Sequence, residues 1–152
     1  MASHYRHANE LMLLIAANPS TPAHVLQQLS SEEDPLLLEQ IAENPATPAL
    51  TLAYLAGHKS EKVRVAVTHN PKVPSDIIYA LTNDENADVR YALASNPLLP
   101  LPLIREICDD ENPYVAARAQ QTFNRLSQEC SPATDNTITL QNIQYRKFNQ
   151  AS

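Results

Sequence analysis

The side chains best suited to act as ligands, bases or nucleophiles in this 152-residue chain are five histidines and two cysteines. His4 and His7 stand three residues apart, so on a helix they would share one face. No cysteine or further histidine lies near enough to complete a metal tetrahedron with them. His24, His58 and His69 are dispersed, and neither Cys108 nor Cys130 sits in a nucleophile signature. With one glycine, Gly57, the chain cannot build a glycine-rich phosphate loop, and that residue is expected to end a helix in a left-handed turn. No catalytic residue, metal or cofactor is expected, and the chain reads as a non-enzyme.

The elements that would position any site are set by prolines. Asn-Pro-x-x-Pro occurs four times, each copy starting 26 residues after the last: Asn18, Pro19 and Pro22; Asn44, Pro45 and Pro48; Asn70, Pro71 and Pro74; Asn96, Pro97 and Pro100. A fixed period of this size marks repeating units that pack on their neighbours. A residue before proline is pushed out of the helical region, so each Asn-Pro step closes one helix. The second proline suits the first position of the next helix, with Thr21 and Thr47 as N-caps in two copies and Asp76 in the first turn of a third.

Each unit therefore reads as two helices. The first carries i, i+4 apolar pairs: Leu11 and Ile15, Leu37 and Ile41, Val63 and Val67, Val89 and Leu93. Small residues follow at Ala16, Ala42, Thr68 and Ala94, allowing close helix approach. The second helix carries i, i+3 pairs, Leu26 and Leu29, Leu52 and Leu55, Ile78 and Leu81, Ile104 and Ile107, which fit either an α-helix or a 3₁₀ segment. Between units, Asp34, Ser60, Asn86 and Asn112 supply an N-cap at every return of the register. A fifth first-type helix from Asn112 to about residue 128 has Thr122-Phe123 in place of Asn-Pro, so it runs on and caps the stack with polar Arg118, Gln120 and Gln121 outward.

The expected fold is all-α: a right-handed α-solenoid of about four and a half 26-residue two-helix repeats, without sheet. Residues 1–9 form an N-terminal arm or the start of the first helix, 10–126 the solenoid, and 127–152 a flexible C-terminal tail. Within that tail, 137–143 alternates like a strand, and Tyr145-Arg146-Lys147-Phe148 could serve a docking peptide.

The stretches VRVAVTHNPKVPSDIIYALTND (63–84) and VRYALASNPLLPLPLIREICDD (89–110) resemble leucine-rich repeat variant proteins, bacterial relatives of HEAT-type solenoids. Val-Arg opening the first helix, Asn-Pro closing it, a second proline, a hydrophobic pair and a terminal Asp carry the resemblance over roughly residues 10–126. It implies alternating α and 3₁₀ helices in a right-handed superhelix and says little about function. Some members hold an iron-sulfur centre on an N-terminal cysteine cluster. With only Cys108 and Cys130 here, that cluster is not expected. Val-Arg is also missing from the first two units, which read Leu11-Met12 and Leu37-Leu38.

Charge narrows the partners. Seventeen acids against eleven bases give a net charge of −6, and acids recur between units at Glu32, Glu33 and Asp34, at Asp84 and Glu85, and at Asp109, Asp110 and Glu111. One edge should be acidic, interrupted by Lys59 and Lys62, through solvated loops that favour the following helix starts or through a surface for a basic partner. A nucleic-acid-binding HEAT-like module is the alternative reading. It needs clustered bases, whereas Arg64 and Arg90 form a ladder of two, with Met12, Leu38 and Ala116 in the same column. Those arginines are expected to lay their stems along a neighbouring helix and pair with Glu61, Asp84 or Asp88.

The column Leu13, Glu39, Val65, Tyr91 and Ala117 lies about 200° from the inward stripe, yet is partly apolar. It is either buried by stacked neighbours or a contact surface in which Leu13, Arg64, Val65, Arg90 and Tyr91 meet a partner, with Tyr54 or Tyr79 on the second-helix side. The expected function is a non-catalytic scaffold binding a protein or peptide. Nothing reads as a membrane span, since the apolar run 11–17 after Arg6 keeps the helix register, and two isolated cysteines suit a reducing cytoplasm.

Overall fold

The computed structural model describes residues 2–129, with side chains from His7 onward. The strand-like alternation and the basic aromatic cluster of the tail lie outside the described residues. Nine α-helices and no strand are found among those described: α1 Ala2–Ala17, α2 Ala23–Leu29, α3 Pro35–Glu43, α4 Ala49–Ala56, α5 Glu61–His69, α6 Ser75–Thr82, α7 Ala87–Ser95, α8 Leu101–Ile107 and α9 Pro113–Glu129. The second helix of each unit is α-helical, not 3₁₀. The chain divides into two compact units, residues 1–89 and 90–152, with the boundary inside α7.

Local chemistry explains the helix ends. The residue before proline is held extended, at φ −68°, ψ 124° for Asn44 and φ −73°, ψ 125° for Asn70. Each frame then makes a β-turn with Asn first and Pro second, closed by Thr21 N–H to Asn18 O at 3.0 Å and Thr47 N–H to Asn44 O at 3.0 Å. The second proline occupies the N-cap, one residue earlier than expected, and is extended (Pro48 φ −65°, ψ 150°). Thr21 and Thr47 are accordingly not N-caps. Their hydroxyls donate backward to Ile15 O and Ile41 O, both at 2.5 Å, tying the new helix to the end of the old one.

The caps between units follow the expected column in three cases of four. Carboxylate or amide oxygens of Asp34, Asn86 and Asn112 accept from the backbone N–H two residues on, at 3.0, 2.7 and 3.0 Å. Ser60 makes no side-chain cap bond. Its own N–H donates to His58 Nδ1 at 3.1 Å. Gly57 closes α4 at φ −95°, ψ 10°, so the left-handed turn expected there is not adopted. The α4 C-cap needs no positive φ because Gly57 N–H simply bonds Tyr54 O at 3.2 Å.

In the first unit α3 packs on both α1 and α5, α6 on α4 and α5, α2 on α1 and α3, and α4 on α3 and α5. The core between them is aliphatic: Leu26, Leu37, Leu38, Ile41, Leu52, Leu55, Val63, Val67 and Ile78 are essentially sealed from water. Ala16, Ala42 and Thr68 are fully buried where the helices approach. Leu11, by contrast, is mostly exposed. In the second unit α8 packs on α9, and Leu93, Leu103, Ile104, Ile107, Val115, Ala119 and Leu126 form the core.

Candidate functional site

Two side-chain constellations recur with the repeat. The first is built on the frame asparagines. Asn44 Oδ1 accepts Ala46 N–H at 2.8 Å, stabilising its own turn, while Nδ2 donates to Ala16 O at 2.6 Å and Asn18 O at 2.8 Å. Asn70 repeats this one unit on, with Lys72 N–H at 2.9 Å and donations to Ala42 O at 2.7 Å and Asn44 O at 2.9 Å. A helix end leaves carbonyls without intrahelical partners, and Asn44 and Asn70 supply a donor to one such carbonyl at the end of α1 and of α3, while also binding the turn carbonyl of the frame before their own. The frame thus clips units together as well as terminating helices. Asn18 keeps only the local half of the pattern, accepting Ser20 N–H at 2.9 Å.

The second constellation joins Arg64 to Asp84 and Arg90 to Asp110. Arg64 Nε and Nη2 meet the two carboxylate oxygens of Asp84 at 2.7 and 2.8 Å, a bidentate pair with both side chains under a tenth exposed. Arg64 Nη1 also donates to His58 O at 2.8 Å, and Asp84 Oδ1 accepts Asn86 N–H at 2.9 Å. One guanidinium therefore ties the loop before α5 to the loop after α6. Arg90 meets Asp110 at 2.7 and 3.1 Å, and Asp110 Oδ1 holds Asn112 N–H at 2.8 Å. Hydrogen bonding to Asp84 raises the Arg64 pKa against the opposing effect of burial. The guanidinium of Arg90 lowers the Asp110 pKa below the usual carboxylate range, again against burial and assisted by the Asn112 N–H.

Two residues of the candidate partner-binding set, Arg64 and Arg90, are the cations of these pairs. Both arginines are buried, with less than a tenth of each side chain exposed. Of the three acids expected to pair with them, Asp84 binds Arg64, but Arg90 takes Asp110. The offset of 20 residues was the available signal: both Arg-containing units have Asp there, whereas Met12 and Leu38 are matched by Glu32 and His58. The acidic edge is also thinner than composition suggests, because Asp84 and Asp110 are consumed inside it. Glu85 and Glu111 remain largely exposed beside the arginines, at 3.9 and 3.4 Å.

Along the remaining column, Leu13 and Val65 are half-buried while Tyr91 is exposed. The exposed aromatics are more informative. Tyr54, Tyr79, Tyr91 and Tyr114 are 62, 48, 43 and 79% exposed, and all stand on helices. In the first unit Tyr54 shares the outer face of α4 with Leu50, 82% exposed, and α4 packs on α6, which carries Tyr79. Leu50 and Tyr114 escaped the sequence reading, although their columns, His24-Leu50-Asp76-Pro102 and Glu10-Leu36-Lys62-Asp88-Tyr114, vary as outward positions do.

Cys108 is half-buried, its thiol lies 3.3 Å from Ile104 O, and burial followed by the nearby Asp109 pushes its pKa up, away from the thiolate a nucleophile requires. Among the described residues no three His, Cys, Asp or Glu side chains converge to hold a metal, and no helix is long and apolar enough to cross a membrane. Comparison with known proteins finds no matching family model, curated protein or solved structure.

Proposed function

We propose that the chain is a right-handed α-solenoid of the leucine-rich repeat variant type, acting as a non-catalytic scaffold that binds a protein or peptide through outward tyrosines. The observation carrying this reading is the contrast between an aliphatic core and surface aromatics: all four tyrosines with described side chains are exposed. Tyrosine offers a large, stiff, amphipathic contact surface and concentrates binding energy when desolvated. The 26-residue sequence period and the recurrence of the Asn and Arg–Asp connections support the solenoid. Burial of both arginines of this column and the net charge of −6 weigh against a phosphate-binding surface.

A photo-crosslinking amino acid placed singly at Tyr54, Tyr79, Tyr91 and Tyr114 tests the reading in cells. A discrete adduct at one or more of these positions, absent with the same group at exposed Gln28, is the expected result. Absence of adducts at all four, or salt-sensitive binding of duplex DNA at submicromolar concentration, would displace the scaffold function.

A further inference from the structure

Positions 32, 58, 84 and 110 share one column of the repeat and hold Glu, His, Asp and Asp. At two of them a carboxylate closes the loop onto the backbone two residues ahead: Asp84 Oδ1 accepts Asn86 N–H at 2.9 Å, and Asp110 Oδ1 accepts Asn112 N–H at 2.8 Å. Half-buried His58 makes the same closure with a ring nitrogen, its Nδ1 accepting Ser60 N–H at 3.1 Å. A carboxylate keeps its acceptor oxygens throughout the neutral range, whereas an imidazole nitrogen accepts only while it carries no proton. Of these three acceptors, His58 is the one that mild acid removes.

We propose that His58 is a pH-sensitive latch on the α4–α5 loop, holding Ser60, and with it the start of α5, while the imidazole is neutral and releasing it when Nδ1 is protonated. Acceptance at Nδ1 requires the tautomer with its hydrogen on Nε2. Protonation sets a second hydrogen on Nδ1, facing Ser60 N–H, so two donors meet and the bond is lost. The Ser60 side chain makes no cap bond that would compensate. Its counterparts Asn86 and Asn112 do, accepting from Asp88 and Tyr114 N–H.

The surrounding charges do not hold the ring in place once it is protonated. Arg64 Nη1 donates to His58 O at 2.8 Å, and its Nε and Nη2 take both carboxylate oxygens of Asp84. Lys59 adjoins His58 in the chain, Glu61 and Lys62 open α5, and α4 carries no charged side chain. Glu32, Glu33 and Asp34 lie on the loop before α3, with Glu39 and Glu43 on that helix. Asp76 stands on α6 and Glu85 follows Asp84. Among the described residues none of these carboxylates comes within ion-pair distance of the His58 imidazole. The tie from Arg64 to the His58 carbonyl does not titrate in this range, since a guanidinium stays charged. Acid therefore frees Ser60 without parting α4 from α5.

Amide exchange of the full chain, read by NMR at about pH 5 and about pH 8 and corrected for the intrinsic pH dependence of exchange, tests the latch. In the wild type the Ser60 amide should lose protection by about 2–10-fold at the lower pH, the equivalent of one hydrogen bond. The imidazole nitrogen shifts should report the Nε2–H tautomer at the higher pH. H58D installs the side chain that makes this closure at 84 and 110 and keeps its charge in mild acid, so Ser60 should stay protected at both values. Because His24 and His69 are unchanged in H58D, this variant separates the latch from any general effect of acid. H58A should leave Ser60 unprotected at both. Wild-type Ser60 protection that does not change with pH, an Nδ1–H tautomer at the higher pH, or a loss of protection in H58D equal to that of the wild type would overturn the proposal.

Discussion

Asn18 and Asn44 occupy the same place in two consecutive frames, share the Asn-Pro turn, and differ in one respect that substitution can isolate. Replacing Asn18 by Ala removes a single exposed bond, the one from Ser20 N–H at 2.9 Å, and should cost about 0.5–1 kcal/mol. Asn44→Ala removes the corresponding bond from Ala46 N–H and also both donations to Ala16 O and Asn18 O, in a side chain only 3% exposed. Three bonds at about 1 kcal/mol each, with at least one carbonyl left buried and unsatisfied, give about 3 kcal/mol. The difference of about 2 kcal/mol corresponds to a melting temperature about 8 °C lower for N44A than for N18A. Thermal unfolding followed by circular dichroism measures this directly. The Asp variants sharpen the comparison: N18D keeps the accepting oxygen and should behave nearly as wild type, whereas N44D replaces a donor by a carboxylate facing two carbonyls and should cost at least as much as N44A. Equal losses for N18A and N44A would show that the turn, not the clip between units, carries the stabilisation.

Other expectations follow from the same geometry. Arg64→Ala strips the buried Asp84 carboxylate of its bidentate guanidinium and should cost about 3–5 kcal/mol by urea denaturation, while Arg64→Lys, unable to pair bidentately, should lose a smaller part of it. The depressed Asp110 pKa stabilises the fold above the unfolded carboxylate value of about 3.9, and this contribution should disappear as pH falls through the lower folded value; D110N should flatten that acid limb of the stability curve. Gly57→Ala should stabilise by about 0.4–1 kcal/mol, read as a raised melting temperature, because φ is −95° and an added Cβ meets nothing nearer than Tyr54 O at 3.8 Å. Combining Leu38→Arg with His58→Asp transplants the clasp one unit back, and a double-mutant cycle should show favourable coupling of about 2–3 kcal/mol between substitutions of which L38R alone is destabilising.

The helical class and most helix limits were legible in the chain because backbone restriction by proline acts locally. Pro19, Pro45, Pro71 and Pro97 force the preceding asparagine out of the helix whatever surrounds it. The i, i+4 pairs likewise announced the buried stripe, apart from Leu11, whose exposure depends on what precedes it in space. The capping column was mostly readable for the same local reason, failing at Ser60, whose side chain makes no cap bond and whose own N–H donates to His58 Nδ1.

What the tertiary structure alone decided is where the polar side chains spend their hydrogen bonds. Nothing local to Asn44 says that its amide will reach residues 26 and 28 positions earlier, and nothing local to Arg64 selects Asp84, 20 positions later, over Glu61 beside it. Those choices depend on which helix ends and loops come within about 3 Å once the aliphatic faces have packed. The sequence by itself determined the helices and their period, since these rest on dihedral restriction and apolar spacing within a few residues. Packing then turned Asn and Arg into connectors, drew the Arg64 and Arg90 side chains into buried ion pairs, and left Leu11, Leu14 and four tyrosines facing water, because burial is a property of neighbours and not of the residue.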